Sequence, residues 1–397
     1  MTDVAERLQE LRDRGLYRRL RLIDGPQGPQ VMLAGQPVLL LCSNNYLGLA
    51  DHPRVREAAA EAAMRWGAGA GASRLISGNM EPHRQLESRL AEFKGYESAL
   101  LFGSGYLANT GAIAALAGEG EVVFSDELNH ASIVDGCRLS RAETFVYRHN
   151  DLDHLAWGLR QAEGRGALIV SDGVFSMDGD VAPLAGLVEL ARRHGCRLMV
   201  DEAHATGAIG PGGRGAVSAA GLGDEVDLVV GTLGKALGAY GAYVCAGSET
   251  VDYLVNTARP FIFSTAPPPP AVGAAGAALE LLRSEPQRVD RLQANAATLR
   301  DALASEGLAV GTSETQILPV EIGEAKLTMD LCERALEGGV FAQGIRPPTV
   351  PEGTSRLRFT VMSTHSTEEL ERAAKTVGAA AREIGLASPS PATAPVA

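Results

Sequence analysis

Arg197-Leu198-Met199-Val200-Asp201-Glu202-Ala203-His204-Ala205-Thr206-Gly207 is followed some twenty residues on by Asp227-Leu228-Val229-Val230-Gly231-Thr232-Leu233-Gly234-Lys235-Ala236-Leu237-Gly238, and these two stretches decide the fold. Each is a short apolar run that stops abruptly in polar and glycine residues carrying titratable groups. Working outward, comparable β-prone runs lie at 98–102, 121–124, 143–147, 167–171 and 242–246, with helical or glycine-rich stretches between most of them. That alternation predicts an α/β fold with a mostly parallel sheet of about seven strands. Ligands of such sheets bind at the carboxyl ends of the strands. Asp201 and Lys235 stand at two of those ends.

On the amino-terminal side, Val4, Leu8 and Leu11 recur at helical spacing within 3–15, and Gly28-Pro29 and Gly35-Gln36-Pro37 then break the chain into short extended pieces. This predicts an arm over 1–45, ahead of a large α/β domain over 46–282 that opens with an Ala-rich helix at 54–64. Pro267 to Pro270 ends the alternation. A long helix from 271 to 282, a second helical stretch from 285, strands around 316–322 and 356–361 and a last helix at 367–384 predict a smaller α+β domain over 283–386. The Ser/Pro/Ala tail 387–397 has no periodicity and is expected to be disordered.

The formal charge is −12 over 397 residues, and the arginines interleave with acids, which argues against nucleic acid and anionic membrane as partners. No apolar run approaches a membrane span, and the first twenty residues lack the apolar core of a signal peptide. Cys42, Cys137, Cys196, Cys245 and Cys332 are odd in number, widely spaced and free of a Cys-x-x-Cys pair. They read as buried reduced thiols of a cytoplasmic protein, with no zinc site or other metal expected. Only Lys94, Lys235, Lys326 and Lys375 among the 36 basic residues are lysines. Lys94, at a predicted helix end, reads as a place where Arg would serve equally well.

A lysine at a strand end among glycines is poorly hydrated and crowded by backbone, which lowers its pKa and makes its amine a nucleophile for an aldehyde. The competing reading of Lys235 is an ordinary loop lysine. A phosphate-binding P-loop fails, because Val229 and Ala236 stand where that motif needs Gly and Ser or Thr. The Gly67 to Ala72 run follows a helix and lacks the third Gly of a dinucleotide fingerprint. Asp201 can hold a pyridine nitrogen protonated, so that the ring acts as an electron sink, and His204 can donate to a phenolic oxygen. Taken alone, that Asp and His could equally ligate a metal or cap a loop. Ser104-Gly105-Tyr106 precedes a helix whose first N–H groups can cradle a phosphate. His130 could lie against an aromatic ring or simply neighbour a helix start, and Ser176 could reach the same cofactor.

These segments occur together with Ser43-Asn44-Asn45-Tyr46-Leu47-Gly48-Leu49, Ser73-Arg74-Leu75, Asn129-His130-Ala131-Ser132 and Asp172-Gly173-Val174-Phe175-Ser176-Met177-Asp178-Gly179. In that order they resemble the α-oxoamine synthases, pyridoxal-phosphate enzymes of fold type I, over nearly the whole chain. The resemblance implies that Lys235 carries pyridoxal 5'-phosphate as a Schiff base and acts as general base, that Asp201 pairs with the pyridinium nitrogen and that His130 stacks on the ring. It implies further that His204 and Ser176 hold the ring hydroxyl and its surroundings, and that Gly105, Tyr106 and Thr232 bind the phosphate. Ser264 and Thr265 would reach the phosphate of a neighbouring subunit, so a homodimer with a shared active site is expected. Ile345-Arg346-Pro347-Pro348-Thr349-Val350-Pro351 and Ser355-Arg356-Leu357-Arg358-Phe359 are similar to the branch that joins L-alanine to a pimeloyl thioester, of coenzyme A or an acyl-carrier protein. In that branch Arg358 would pair with the amino-acid carboxylate. Asn44, Thr349 and Arg18 would meet substrate, with Arg19 and Arg21 competing for the place of Arg18. The segment Gly234 to Gly241 around Lys235 is also close to that of glycine acetyltransferases of the family, so it does not by itself select the acyl donor.

Overall fold

The computed structural model describes residues 3–386, so the tail read over 387–397 lies outside the described residues. Its largest sheet has seven strands: β1 Ser98–Phe102, β2 Val122–Asp126, β3 Glu143–Tyr147, β4 Gly166–Asp172, β5 Arg197–Asp201, β6 Leu228–Thr232 and β7 Ala242–Ala246. Their order is β1-β7-β6-β5-β4-β2-β3, and only β7 runs antiparallel to its neighbours. The α/β fold expected from the alternating runs is therefore present. Strands covered on both faces need apolar side chains throughout. Accordingly Leu198, Met199, Val200, Leu228, Val229 and Val230 are all fully buried.

Predicted strands stop short at their carboxyl ends. β2 continues through Ser125 and Asp126, β4 through Asp172, β5 through Asp201 and β6 through Thr232. Apolar periodicity cannot see these last residues, because the backbone ladder continues after the side chains turn polar. They are also the residues that face the ligand end of the sheet.

Helix Gly105–Leu116 packs Ala108, Ala112 and Ile113 into a core shared with Leu100, Val123, Ile133, Leu168, Val230 and Val244. Its start is set by Ser104, whose hydroxyl accepts from the Leu107 N–H at 3.3 Å. Helix Glu81–Lys94 ends at Gly95 in the left-handed region.

By their contacts the described residues form two units. One comprises Asn45–Ser176 and Asp180–Asp290; the other comprises the described residues up to Asn44, Met177–Gly179 and those from Arg291 onward. The amino-terminal segment, set apart as an arm in the sequence reading, thus groups with the carboxyl-terminal third. That second unit holds a three-stranded antiparallel sheet, Ile317–Gly323, Ser355–Thr360 and Gln343–Ile345, with Ser355–Thr360 in the middle. It also holds a four-stranded sheet, in which Gln36–Leu40 runs parallel to Val340–Phe341. Its helix Thr367–Glu383 starts in a capping box of Ser366 and Glu369.

Two readings are corrected. Lys94 is not an interchangeable surface cation: its side chain is buried and ion-paired with Glu202. Cys42 is partly exposed, whereas the other four cysteines are buried; all five are free thiols.

Gly231 in β6 has no room for a side chain, since a Cβ there would come within 2.3 Å of the Tyr243 ring and hydroxyl. Gly231→Ala is expected to lower stability by about 1–3 kcal/mol, the usual cost of overpacking. A denaturant midpoint unchanged from wild type would show that β6 and β7 separate freely at this point.

Candidate active site

Parallel pairing in register sets Asp172 at the end of β4 directly beside Asp201 at the end of β5. Both carboxyls are buried, and each is met by donors from other elements. Asn109, from helix Gly105–Leu116, donates to Asp201 Oδ2 at 2.6 Å, and the Ala203 N–H donates to Oδ1 at 2.8 Å. The Asn109 amide also donates to Ser132 Oγ at 2.8 Å, and Ser132 Oγ lies 2.7 Å from His130 Nδ1. Asp172 accepts from the His130 N–H at 3.0 Å, while its own N–H donates to Asn129 Oδ1 at 2.8 Å. This reciprocal pair fixes the backbone on which the His130 imidazole is mounted.

Burial, with the Asp201 charge second, pushes the Asp172 carboxyl well above the ordinary aspartate range. Two carboxyls side by side do not both ionise readily. His130 is pushed below the usual histidine range, chiefly by loss of water around the ring; Asp201 opposes that shift and Lys235 adds to it. A neutral imidazole with exposed surface is the form suited to lie against an aromatic ring.

From the end of β6 the chain turns through Thr232 to Lys235. The Thr232 hydroxyl donates to Gly241 O at 3.2 Å and accepts from the Gly234 N–H at 3.2 Å. Lys235 Nζ lies 2.8 Å from His204 Nε2, and Tyr46 OH lies 2.6 Å from His204 Nδ1. His204 therefore bridges the lysine and a buried phenol. The predicted residues thus fall into two hydrogen-bonded groups, Lys235 with His204 and Tyr46, and Asp201 with His130 through Asn109 and Ser132; the charges of Lys235 and Asp201 both act on the His130 ring.

Gly105 and Tyr106 are the first two residues of their helix, where N–H groups have no intrahelical acceptor. The Tyr106 phenol is tied to Asp135 instead. Ser176 lies in the loop after β4, a loop anchored by His149, whose Nδ1 is 2.9 Å from Asp126 Oδ1 and whose Nε2 is 2.8 Å from Asp180 Oδ2. Ser264 and Thr265 stand apart from the Lys235 network: Thr265 pairs with Ser73 in an antiparallel bridge.

In the second unit, Arg358 is buried in the middle strand between Pro319 and Gln343. Arg356, two residues earlier and so on the same face, is neutralised by Asp178. Arg18, Arg19, Arg21 and Thr349 line one cavity of about 1050 Å³, together with Arg12 and Arg346. Within it Arg21 pairs with Glu333, and Arg19 lies over the Tyr17 ring at 5.8 Å. Asn44 follows Ser43, whose carbonyl accepts from the Thr360 hydroxyl at 2.8 Å.

Sequence reasoning missed Asn109, Tyr46 and Asp172 as site residues. Asn109 carried a usable signal, a lone amide in a helix that is mostly small and apolar; the other two became visible only through their partners.

A model of the family described as aminotransferase class I and II matches residues 36–377. The chain belongs to the aminotransferase class I and II family. It is 55% identical over 386 residues to the 8-amino-7-oxononanoate synthase of Geobacter sulfurreducens, covering 96% of this chain and 99% of that protein. A serine palmitoyltransferase solved with pyridoxal phosphate superposes with a TM-score of 0.92 at 34% identity, covering 96% of this chain and 98% of that one. The 8-amino-7-oxononanoate synthase of Francisella tularensis superposes at 0.76 and 27% identity, covering 87% and 98%. The fold is that of pyridoxal-phosphate enzymes of fold type I. The family's cofactor is pyridoxal phosphate, and the site has the groups for it: a strand-end lysine amine, a buried carboxylate held by two donors, an uncovered imidazole and an open helix start. No helix among the described residues is long and apolar enough to cross a membrane.

The two aspartates raise the pKa of His149 to about 10, against the effect of burial. Its stabilising contribution is therefore full below the unfolded value of about 6.5, declines as pH rises, and is lost through pH 10. The stability difference between wild type and His149→Asn should shrink steadily between pH 6.5 and 10, as read by urea midpoints. A difference constant over that range would remove the charged clamp.

Proposed function

We propose that the chain condenses L-alanine with a pimeloyl thioester, releasing carbon dioxide and the thiol carrier, to give 8-amino-7-oxononanoate for biotin synthesis. The observation that carries this reading is the 55% identity, over nearly the full length of both chains, to a synthase of that name. The serine palmitoyltransferases share the architecture closely but at 33–34% identity, so they speak for the fold more than for the substrates.

Bound pyridoxal phosphate supplies an electron sink for negative charge developing at the α-carbon of the amino acid. The residues then have distinct tasks. Lys235 holds the cofactor and moves the proton at the alanine α-carbon, for which its contact with His204 keeps the amine in place. Asp201, fixed by Asn109 and the Ala203 N–H, keeps the ring nitrogen protonated. His130 would cover one face of the ring, His204 and Ser176 would serve its hydroxyl side, and Gly105, Tyr106 and Thr232 would hold the phosphate. Ser264 and Thr265 serve the phosphate of the second subunit in a homodimer.

Arg358 is assigned to the alanine carboxylate, because a buried guanidinium offers a paired donor fork to two oxygens. Arg18, Thr349 and Asn44 are assigned to substrate. Arg21 and Arg19 are weaker candidates than Arg18, the first being engaged by Glu333 and the second lying over Tyr17. The carrier is coenzyme A or an acyl-carrier protein, and five free thiols fit a reducing, cytoplasmic setting.

Thiol release should be fast with alanine plus pimeloyl-coenzyme A and slow with glycine plus acetyl-coenzyme A; the reverse order would make the chain a glycine acetyltransferase. Lys235→Ala should lose the visible absorbance of the bound cofactor and at least about a hundredfold of turnover. Arg358→Ala should raise the KM for alanine about tenfold to a hundredfold while leaving the thioester KM nearly unchanged. Equal effects on both would remove Arg358 from the carboxylate.

A further inference from the structure

The strongest feature outside the assigned residues is the ion pair between Lys94 and Glu202. Their side chains are 2% and 0% exposed. Lys94 closes helix Glu81–Lys94, and its ammonium donates to Glu202 Oε2 and to the Arg214 carbonyl, with Thr206 Oγ1 at 3.3 Å. Glu202 Oε1 accepts from the Val217 N–H at 2.8 Å, and Thr206 Oγ1 is 3.0 Å from Tyr243 OH. A Cβ on Gly215 would come within 2.3 Å of the Glu202 carboxylate, so the chain keeps its narrowest residue beside this pair.

The backbone of Glu202 starts the turn between Asp201 and His204. Its N–H donates to Val230 O in β6 at 2.7 Å, and its carbonyl accepts from the Ala205 and Thr206 N–H groups at 3.0 and 2.9 Å. A buried ion pair is weak evidence for stability, because apolar residues of similar volume often serve as well or better. Its placement offers another use: it ties one helix, the 214–217 segment and the turn into a single charge-balanced unit directly behind Asp201. The ionisable groups that face the pair are Tyr96, Tyr243 and Cys245, and burial pushes all three up, Cys245 to about 12, so they stay neutral.

We infer that Lys94 and Glu202 are positioning residues for the cofactor: they hold the turn that carries Asp201 and His204, and as a neutral pair they leave Asp201 as the negative charge presented to the ring. This rests on the roles proposed for Lys235 and Asp201. It differs from them in acting at a distance.

The test is a spectroscopic pH titration of the visible band of the Lys235-bound cofactor in the holoenzyme. Lys94→Met leaves the Glu202 anion uncompensated. A negative charge favours the protonated, cationic Schiff base, so the apparent pKa should rise by about half to one unit, the order of effect of a unit charge that is near but not in contact in a partly polar interior. Glu202→Gln leaves the Lys94 cation and should lower it by a similar amount. The double variant is neutral again and should titrate as wild type, yet release pyridoxal phosphate several-fold faster, because the turn is no longer tied. General loosening of the fold would move both single variants in the same direction. Shifts of one sign, or none, overturn the inference. Where a single variant does not fold, the double variant decides: cofactor release at the wild-type rate with unchanged kcat also overturns it. Failure of the underlying reading is separately visible, as a visible band that survives in Lys235→Ala.

Discussion

Two buried carboxyls, Asp172 and Asp201, sit in register at the ends of adjacent parallel strands, and much of the site is arranged to make that tolerable. Burying a carboxyl without partners costs several kcal/mol, so each must be met by donors brought from elsewhere in the chain. Asp201 takes Asn109 from a helix that begins just after β1, and Asp172 takes the backbone of His130 from the loop after β2. Satisfying the carboxyls thereby positions the imidazole and the open helix start. The same hydrogen bonds that lower the cost of the buried acids assemble the cofactor's surroundings.

Close packing then restricts how this arrangement can vary. Gly231 meets the ring of Tyr243, and Tyr243 hydrogen-bonds Thr206 in the turn that follows Asp201. Gly238, in the left-handed region at φ +60°, has the backbone N of Ala50 2.3 Å from where a Cβ would stand. The glycines around Lys235 therefore have two functions. They expose backbone near the amine, as the sequence suggested, and they let β7 and the 45–50 segment approach, which no local pattern could reveal.

The legible part of the molecule was its local chemistry. Lys235, Asp201, His204 and His130 each follow an apolar run or precede a helix, and a strand end is visible as a change of composition. The hidden part was pairing over long sequence distance. Asn109 reaches Asp201 across 92 positions, Tyr46 reaches His204 across 158 and Lys94 reaches Glu202 across 108. Each of these residues sits in a segment whose own pattern is ordinary. Only the crossover order of the sheet brings them together, and several topologies are compatible with the same set of strands. The strand ends were misjudged for a related reason: hydrophobicity fades one or two residues before the ladder does, because the last residues point toward ligand.

The scarcity of lysine acquires a physical meaning from this. A chain that uses Arg at 32 of its 36 basic positions keeps Lys at two sites that are hidden or half-hidden, 94 and 235. At 235 the amine must be able to lose its proton and bond to an aldehyde carbon, which a guanidinium cannot do. At 94 the constraint is shape. The ammonium fits among a carboxylate, a carbonyl and a hydroxyl converging from three directions, the geometry of a compact cation with rotatable donors. A planar fork would have to displace Thr206 or the Arg214 carbonyl, and with them the turn that carries Asp201. The two lysines thus answer different demands, reactivity at one and compactness at the other, while the surface is free to follow the bias toward Arg.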